Sequence, residues 1–308
     1  MAKSMRTAFA EALIEVAGKN EKIVSLDADL GHTTMTCMFQ EVYPERHFNF
    51  GIAEANMVCG AAGFAKAGLI PFVSTMAMFG TGRAFEQIRN SICYANENVK
   101  FAFSHPGISV GADGGSHQTV EDLSIMRALP NMQIFVPCDS IEMKKAVFKA
   151  AEISGPVYIR VSRPDVENVT TEDTPFIPGK ANVLKDGKDI CIMATGLMIH
   201  EALKAADMLE KEGISTAVVN FHTIKPIDRD MILHYGNKVK GIVTAEENTV
   251  LGGFGAAVSE VLCGNASARF AMVGIEDRFG QSGQPEELFR EYGLTAENIY
   301  QKSKEVLG

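Results

Sequence analysis

No two of the six cysteines stand at C-x-x-C spacing: Cys37, Cys59, Cys93, Cys138, Cys191 and Cys263 are scattered along the 308 residues. That excludes a zinc knuckle or a dithiol motif and suits a reducing cytoplasm. Basic residues are in deficit, 29 against 38 acidic, a net charge of −9. A broad nucleic-acid footprint is therefore not expected, although a local basic pocket stays open. Long hydrophobic runs are missing too. The most apolar stretch, Val58 to Val73, is interrupted by Lys66, Pro71 and glycines, too broken to span a membrane. Glu11 and Glu15 fall where a signal peptide would need an unbroken apolar segment. There is no G-x-x-x-x-G-K-[ST] phosphate loop and no G-x-S-x-G elbow. Gly80-Thr-Gly82 and Gly253-Phe-Gly255 fall short of a full G-x-G-x-x-G. The sequence predicts a soluble, cytoplasmic protein.

What is present is ordinary globular material, 46% hydrophobic and 22% charged, which excludes dominant disorder. The length suits about two domains of roughly 100–200 residues each. Thr7–Ala17 is amphipathic, with Phe9, Leu13 and Val16 on one side. The run Lys22-Ile-Val-Ser-Leu-Asp27-Ala-Asp29 reads as a buried strand entering a loop. A helix is predicted over Ala53–Lys66, a strand over Ile70–Thr75, a helix over Gly82–Tyr94 and a strand over Lys100–His105. Ile134–Pro137, Ser140–Ala151 and Val157–Val161 give strand, helix and strand. Asp165 to Lys180 breaks the pattern with prolines and few large apolar residues, and alternation then resumes from Asp189 to Leu262. The expected fold is α/β, two domains with mostly parallel sheets covered by helices on both faces. The domains run over 1–165 and 182–308, with a linker over 166–181.

Candidate chemistry concentrates between Phe48 and Arg163. Glu54 opens an Ala/Gly-rich helix. Either it favours the helix dipole, or apolar surroundings raise its pKa and suit it to a proton relay. Ser74–Phe79, just past a strand, is either core or pocket wall. Next comes a long glycine-rich loop, His105-Pro-Gly-Ile-Ser-Val-Gly111-Ala-Asp113-Gly-Gly-Ser-His117-Gln118. Two histidines and an aspartate at a strand's carboxyl end sit where open α/β sheets bind ligands, and their spacing matches no familiar metal set. Arg163 either closes a strand by pairing with Asp165 or faces a ligand.

In combination these segments resemble the transketolase family. The pyrimidine-binding half is matched by Gly51-Ile-Ala-Glu54, by Gly111 to Gln118 with Glu121-Asp-Leu, by Arg127 with Leu129-Pro130, and by Val161-Ser-Arg163. The family's C-terminal domain is matched by Phe221-His-Thr-Ile-Lys-Pro-Ile-Asp228 and Glu246-Glu-Asn-Thr-Val-Leu-Gly-Gly-Phe-Gly255. The resemblance covers essentially the whole chain. One departure stands out: the family's Gly-Asp-Gly metal–diphosphate motif occurs nowhere, since Asp113-Gly114 and Asp186-Gly187 each lack the preceding glycine.

The resemblance implies the C-terminal subunit of a split transketolase. Thiamine diphosphate would be shared with an N-terminal partner subunit, which would hold the divalent metal, such as Mg. Glu54 would hydrogen-bond the cofactor's aminopyrimidine and Phe79 would stack on it, with Met76 and Asp29 also assigned to the cofactor pocket. His105 and His117 would shuttle protons. Asp113 would read the sugar's hydroxyls, and Arg163, assisted by Arg6 and Thr33, would hold an anionic terminus. A two-carbon ketol unit would pass from a ketose to an aldose. The rival readings are a deoxyxylulose-phosphate-synthase-like subunit, a 2-oxo-acid dehydrogenase β-like subunit and a non-catalytic assembly subunit. Self-association as a homodimer is expected, and a heterotetramer with the partner. Close approach between subunits is expected at the helix Ala53–Lys66 and at Leu251–Gly255.

Overall fold

The computed structural model describes residues 3–308. Its larger sheet has seven strands, in the spatial order Thr223–Lys225, Gln133–Phe135, Val157–Val161, Lys100–Ser104, Ile70–Ser74, Ile23–Asp27 and His47–Asn49. Six of them run parallel. Parallel neighbours need helical crossovers, which cover both faces, so such strands read as apolar runs rather than alternating ones. All five residues of Ile23–Asp27, and all five of Lys100–Ser104, are buried.

The helix Met5–Lys19 begins where the Ser4 hydroxyl accepts the Thr7 amide at 3.4 Å. Met5, Phe9, Leu13 and Val16, three or four apart, bury one face. That face joins a cluster with Met143, Ala146, Val147 and Ala150 of the helix Ser140–Glu152. Asp139 caps this second helix, its carboxylate accepting the Glu142 amide at 2.8 Å.

The second sheet has five strands, ordered Arg269–Ile275, Gly241–Thr249, Ile190–Ala194, Thr216–Asn220 and Asn182–Lys185. All its pairs are parallel except the last. The two units share one hydrophobic core, in which Phe101 and Phe103 join Met193, Phe221 and Phe254. The strand Thr223–Lys225 comes from the second half of the chain and pairs antiparallel with Gln133–Phe135, completing the first sheet. Among the described residues no helix is long and apolar enough to cross a membrane.

One local expectation needs correction. The segment predicted as one helix over Gly82–Tyr94 is irregular, π-helical over Met78–Arg83 and Ile88–Cys93 around a short α-turn at Phe85–Gln87. The proline-rich stretch after Asp165 is strapped down. Ser4 pairs with Asp165 and Lys3 with Val166, Thr170 donates amide and hydroxyl to Asp139 at 2.7 and 2.9 Å, and Phe176 is buried. Gly253 and Gly255 are also buried, and serve contacts within the chain. A Cβ on Gly253 would lie 2.2 Å from Glu246 Oε2, and one on Gly255 would lie 2.7 Å from the Met272 sulfur.

Candidate active site

The candidate residues share one end of the larger sheet. Asp29 and Thr33 follow Ile23–Asp27, Glu54 follows His47–Asn49, and Met76 and Phe79 follow Ile70–Ser74. His105, Asp113 and His117 follow Lys100–Ser104, and Arg163 follows Val157–Val161. All leave the carboxyl ends of parallel strands, the edge where open α/β sheets form ligand crevices. Arg6 arrives differently. The pairing of Ser4 with Asp165 brings the start of the first helix beside Arg163.

Two groups form. In the first, Glu54 is 1% exposed at the first turn of the helix Glu54–Lys66. Its Oε2 accepts Arg83 Nη1 at 2.8 Å, and Oε1 takes no hydrogen bond among the described residues. The purely apolar setting expected for Glu54 is thus corrected, because a cation stands beside it. The same guanidinium lies 4.6 Å from the centre of the Phe79 ring. The His117 ring meets Phe79 edge-on at 5.3 Å. Sequence reasoning missed Arg83. No local spacing marked it, because Phe79 lies before the helix predicted over Gly82–Tyr94 and Met78–Arg83 is π-helical.

In the second group, His105 is buried at φ 61° with Nδ1 2.8 Å from the Ser104 hydroxyl. Burial, with the charges of Arg6 and Arg163 adding, pushes its pKa down to about 3, so the ring is neutral at working pH. Arg163 Nη1 donates to the Val110 carbonyl and lies 3.5 Å from Asp113 Oδ2. Its partner is therefore Asp113 rather than Asp165, whose backbone is held by Ser4. Arg6 Nη1 donates to the Thr33 carbonyl at 3.0 Å. Burial, then the like charge of Arg163, lowers the Arg6 pKa. The two arginines line one cavity of ≈ 280 Å³ with Ser109, Val110, Pro285 and Glu286. Two guanidiniums on one small cavity suit an oxyanion.

The remaining candidates sit nearby. Met76 is buried, and its backbone bridges to Ser104 beside His105. Asp29, at φ 62°, accepts from Asn49 Nδ2 at 3.2 Å. It lines a separate hollow of ≈ 220 Å³ with His32 and Thr33. Beneath it Asp27 is buried. Burial alone would raise its pKa, but His47 at 3.1 Å, the Thr36 hydroxyl at 3.0 Å and the Asp29 amide outweigh that and hold it low.

The first group fits a heteroaromatic ring with a basic nitrogen, since it offers an aromatic wall and a buried carboxylate with one free oxygen. Among the described residues no three His, Cys, Asp or Glu side chains gather as a metal site.

Two family models cover nearly the whole chain: the transketolase pyrimidine-binding domain matches residues 1–168 and the transketolase C-terminal domain residues 179–299. The chain belongs to the transketolase family. A solved split-gene transketolase, described as an inactive β4 tetramer, is 48% identical with a TM-score of 0.92, covering 99% of this chain and 98% of its own. A Methanocaldococcus jannaschii protein assigned as a transketolase C-terminal section is 45% identical over 98% of this chain and 96% of its own. The 6-deoxy-6-sulfo-D-fructose transketolase subunit SqwH of Clostridium sp. (strain MSTE9) is 40% identical over 98% of this chain and 94% of its own. The chain spans about half the length of one-piece relatives, 48% of human transketolase and 49% of a deoxyxylulose-phosphate synthase. It corresponds to the C-terminal section of a transketolase made in two parts.

Proposed function

We propose that this chain, joined to an N-terminal subunit, moves a two-carbon ketol unit from an anionic ketose to an aldose. The observation that carries this reading is the pairing of two sites at one sheet edge, a carboxylate–aromatic pocket at Glu54 and Phe79 and a paired-arginine cavity at Arg6 and Arg163.

In this reading the partner holds the diphosphate and its divalent metal. Thiamine diphosphate, when bound, supplies the nucleophilic carbon that a protein side chain cannot. The chain's own residues do the rest. Glu54 holds a proton against the aminopyrimidine through its free oxygen, and Phe79 gives that ring a flat wall worth roughly 0.5–1.5 kcal/mol beyond burial. Neutral His105 offers a substrate hydroxyl a hydrogen-bond donor on one ring nitrogen and an acceptor on the other. His117 stands on the other side of the same loop, next to Phe79. Asp113 accepts from sugar hydroxyls, and Arg163 and Arg6 hold the anionic end. SqwH, by its name, serves a sulfonated fructose. A sulfonate and a phosphate offer the same arginines similar oxygen edges, so either terminus fits.

A deoxyxylulose-phosphate synthase is nearly as similar, at 39% identity, and pyruvate consumption would reveal that chemistry. The near-complete coverage of split relatives favours ketol transfer. The deciding experiment mixes the chain with its N-terminal partner, metal, cofactor, and phosphorylated or sulfonated ketoses. Ketol transfer by the mixture and none by either chain alone is the expected result. Full turnover by this chain alone would overturn the two-subunit reading, and pyruvate-dependent turnover would overturn the reaction.

A further inference from the structure

The loop from His105 to Gln118 carries three candidate side chains, and its glycines give it little stiffness of its own. Its hold comes from the other half of the chain. Glu247, near the end of the strand Gly241–Thr249, is 2% exposed, and its Oε1 accepts the Ser109 amide at 2.7 Å. Gly107, at φ 74°, leaves the room for this contact, since a Cβ there would lie 2.3 Å from Glu247 Oε1. The next residues of the same strand take the far end of the loop. The Thr249 amide donates to the Val120 carbonyl at 2.6 Å, and Asn248 Oδ1 accepts the Leu123 amide at 3.4 Å.

Glu247 is itself anchored. Arg160 Nη2 donates to its carbonyl at 2.8 Å, and Arg160 Nη1 lies 4.0 Å from its Oε2. Asp122 holds Arg160 with bonds of 2.8 and 3.0 Å, and the Tyr158 hydroxyl donates to Asp122 at 2.7 Å. Arg160 belongs to the strand Val157–Val161, whose end carries Arg163. Arg163 in turn donates to the carbonyl of Val110, next to Ser109. The contacts close a circuit from that strand through Arg160, Glu247, Ser109 and Val110 to Arg163. Burial raises the Glu247 pKa, Arg160 and the Ser109 amide oppose that, and Oε2 has no hydrogen-bond partner among the described residues.

We propose that Glu247 is a positioning residue through which the second domain holds the Ser109–Val110 segment and so sets Arg163 for an anionic substrate. This rests on the reading of Arg6 and Arg163 as the anion site. Glu247 does not line the Arg6–Arg163 cavity. Its effect passes through the Ser109 amide and the Val110 carbonyl.

The test compares Glu247→Ala, Glu247→Gln and Gly107→Ala in the reconstituted two-subunit enzyme. Two acceptors are used, a phosphorylated aldose and uncharged glycolaldehyde. Glu247→Ala should raise KM for the phosphorylated acceptor about tenfold, with kcat and the glycolaldehyde KM within about threefold. Gly107→Ala should show the same split. Glu247→Gln should recover most of the loss, because its amide oxygen still accepts from Ser109. A merely structural role would lower the melting temperature and shift both acceptors alike, and that result overturns the proposal. If Glu247→Ala does not fold, Gly107→Ala and Glu247→Gln decide. Titrating the chain alone with inorganic phosphate gives a second readout. Several-fold weaker binding in Gly107→Ala supports the proposal, and unchanged binding overturns it. A wild-type complex without ketol transfer would instead overturn the functional reading, and the phosphate titration would still decide the role of Glu247.

Discussion

Arg83 joins the two walls of the candidate cofactor pocket. Its guanidinium lies 4.6 Å from the centre of the Phe79 ring, and its Nη1 donates to Glu54 Oε2 at 2.8 Å. One carboxylate oxygen is thereby occupied and oriented, which leaves the other for a ligand. Glu54→Gln keeps the shape and the acceptor toward Arg83 but cannot hold or move the proton. In the reconstituted enzyme it should lose about 10²–10⁴-fold in kcat, the usual contribution of a positioned acid–base group. Circular dichroism should be unchanged. Activity within a few-fold of wild type would reduce Glu54 to a helix-start residue.

The neutrality of His105 depends partly on its cationic neighbours, and that can be measured on the chain alone. Burial is the main cause of a pKa near 3, and Arg6 and Arg163 add to it. Arg163→Ala should move the His105 titration upward in NMR spectra, yet leave it below the ordinary value of 6.5. The sign for stability follows. The unfolded chain protonates His105 near pH 6.5 and the folded chain does not, so its stabilising contribution is full above 6.5. It falls away as pH drops toward 3. The variant should soften that loss. An unchanged titration would mean that the arginine does not face the ring.

Lys100 gives the opposite end of the pH range. It is fully buried in the central strand, donating to the carbonyls of Ile153 at 2.7 Å and Gly155 at 2.6 Å. Burial lowers its pKa to about 7. Between pH 7 and the ordinary value near 10.5 the unfolded chain binds more protons than the folded one, so stability should rise with pH across that window. Lys100→Met should flatten this rise in urea midpoints measured from pH 7 to 10. Parallel curves for the two proteins would contradict the assignment.

Assembly offers a further check. Ile52, two residues before Glu54, is 77% exposed. An apolar side chain exposed this close to Glu54 is a natural contact for a second subunit. Light scattering at micromolar concentration should find the chain alone as a dimer or a larger closed oligomer, and two copies of each subunit once the partner is added. Ile52→Asp should weaken self-association. A monomeric mass both alone and with the partner would leave Glu54 and Phe79 without a second surface.

The alternation of buried strands with amphipathic helices was legible because it is a local property. Each strand carries its own apolar run, and each helix its own three-and-four spacing. The strand ends were equally legible, so the placement of His105, Asp113, His117 and Arg163 on loops beyond strands needed no coordinates. The break at Met78–Cys93 was not legible, because the segment keeps a helical composition while its backbone bonding changes register.

The sequence by itself determined most of the elements, the α/β class and the family, and it offered every candidate site residue except Arg83. Only the tertiary structure decided how those elements meet. Strand order has no local signature. Nothing near Thr223 says that it will pair with Phe135, and nothing near Glu247 says that its carboxylate will hold an amide 138 residues earlier. Such contacts form only when distant strands are laid edge to edge and the two domains share a core. The same holds for Arg83 beside Glu54 and for Arg6 beside Arg163, where the charge on one side chain acquires meaning from a neighbour that the chain supplies from elsewhere.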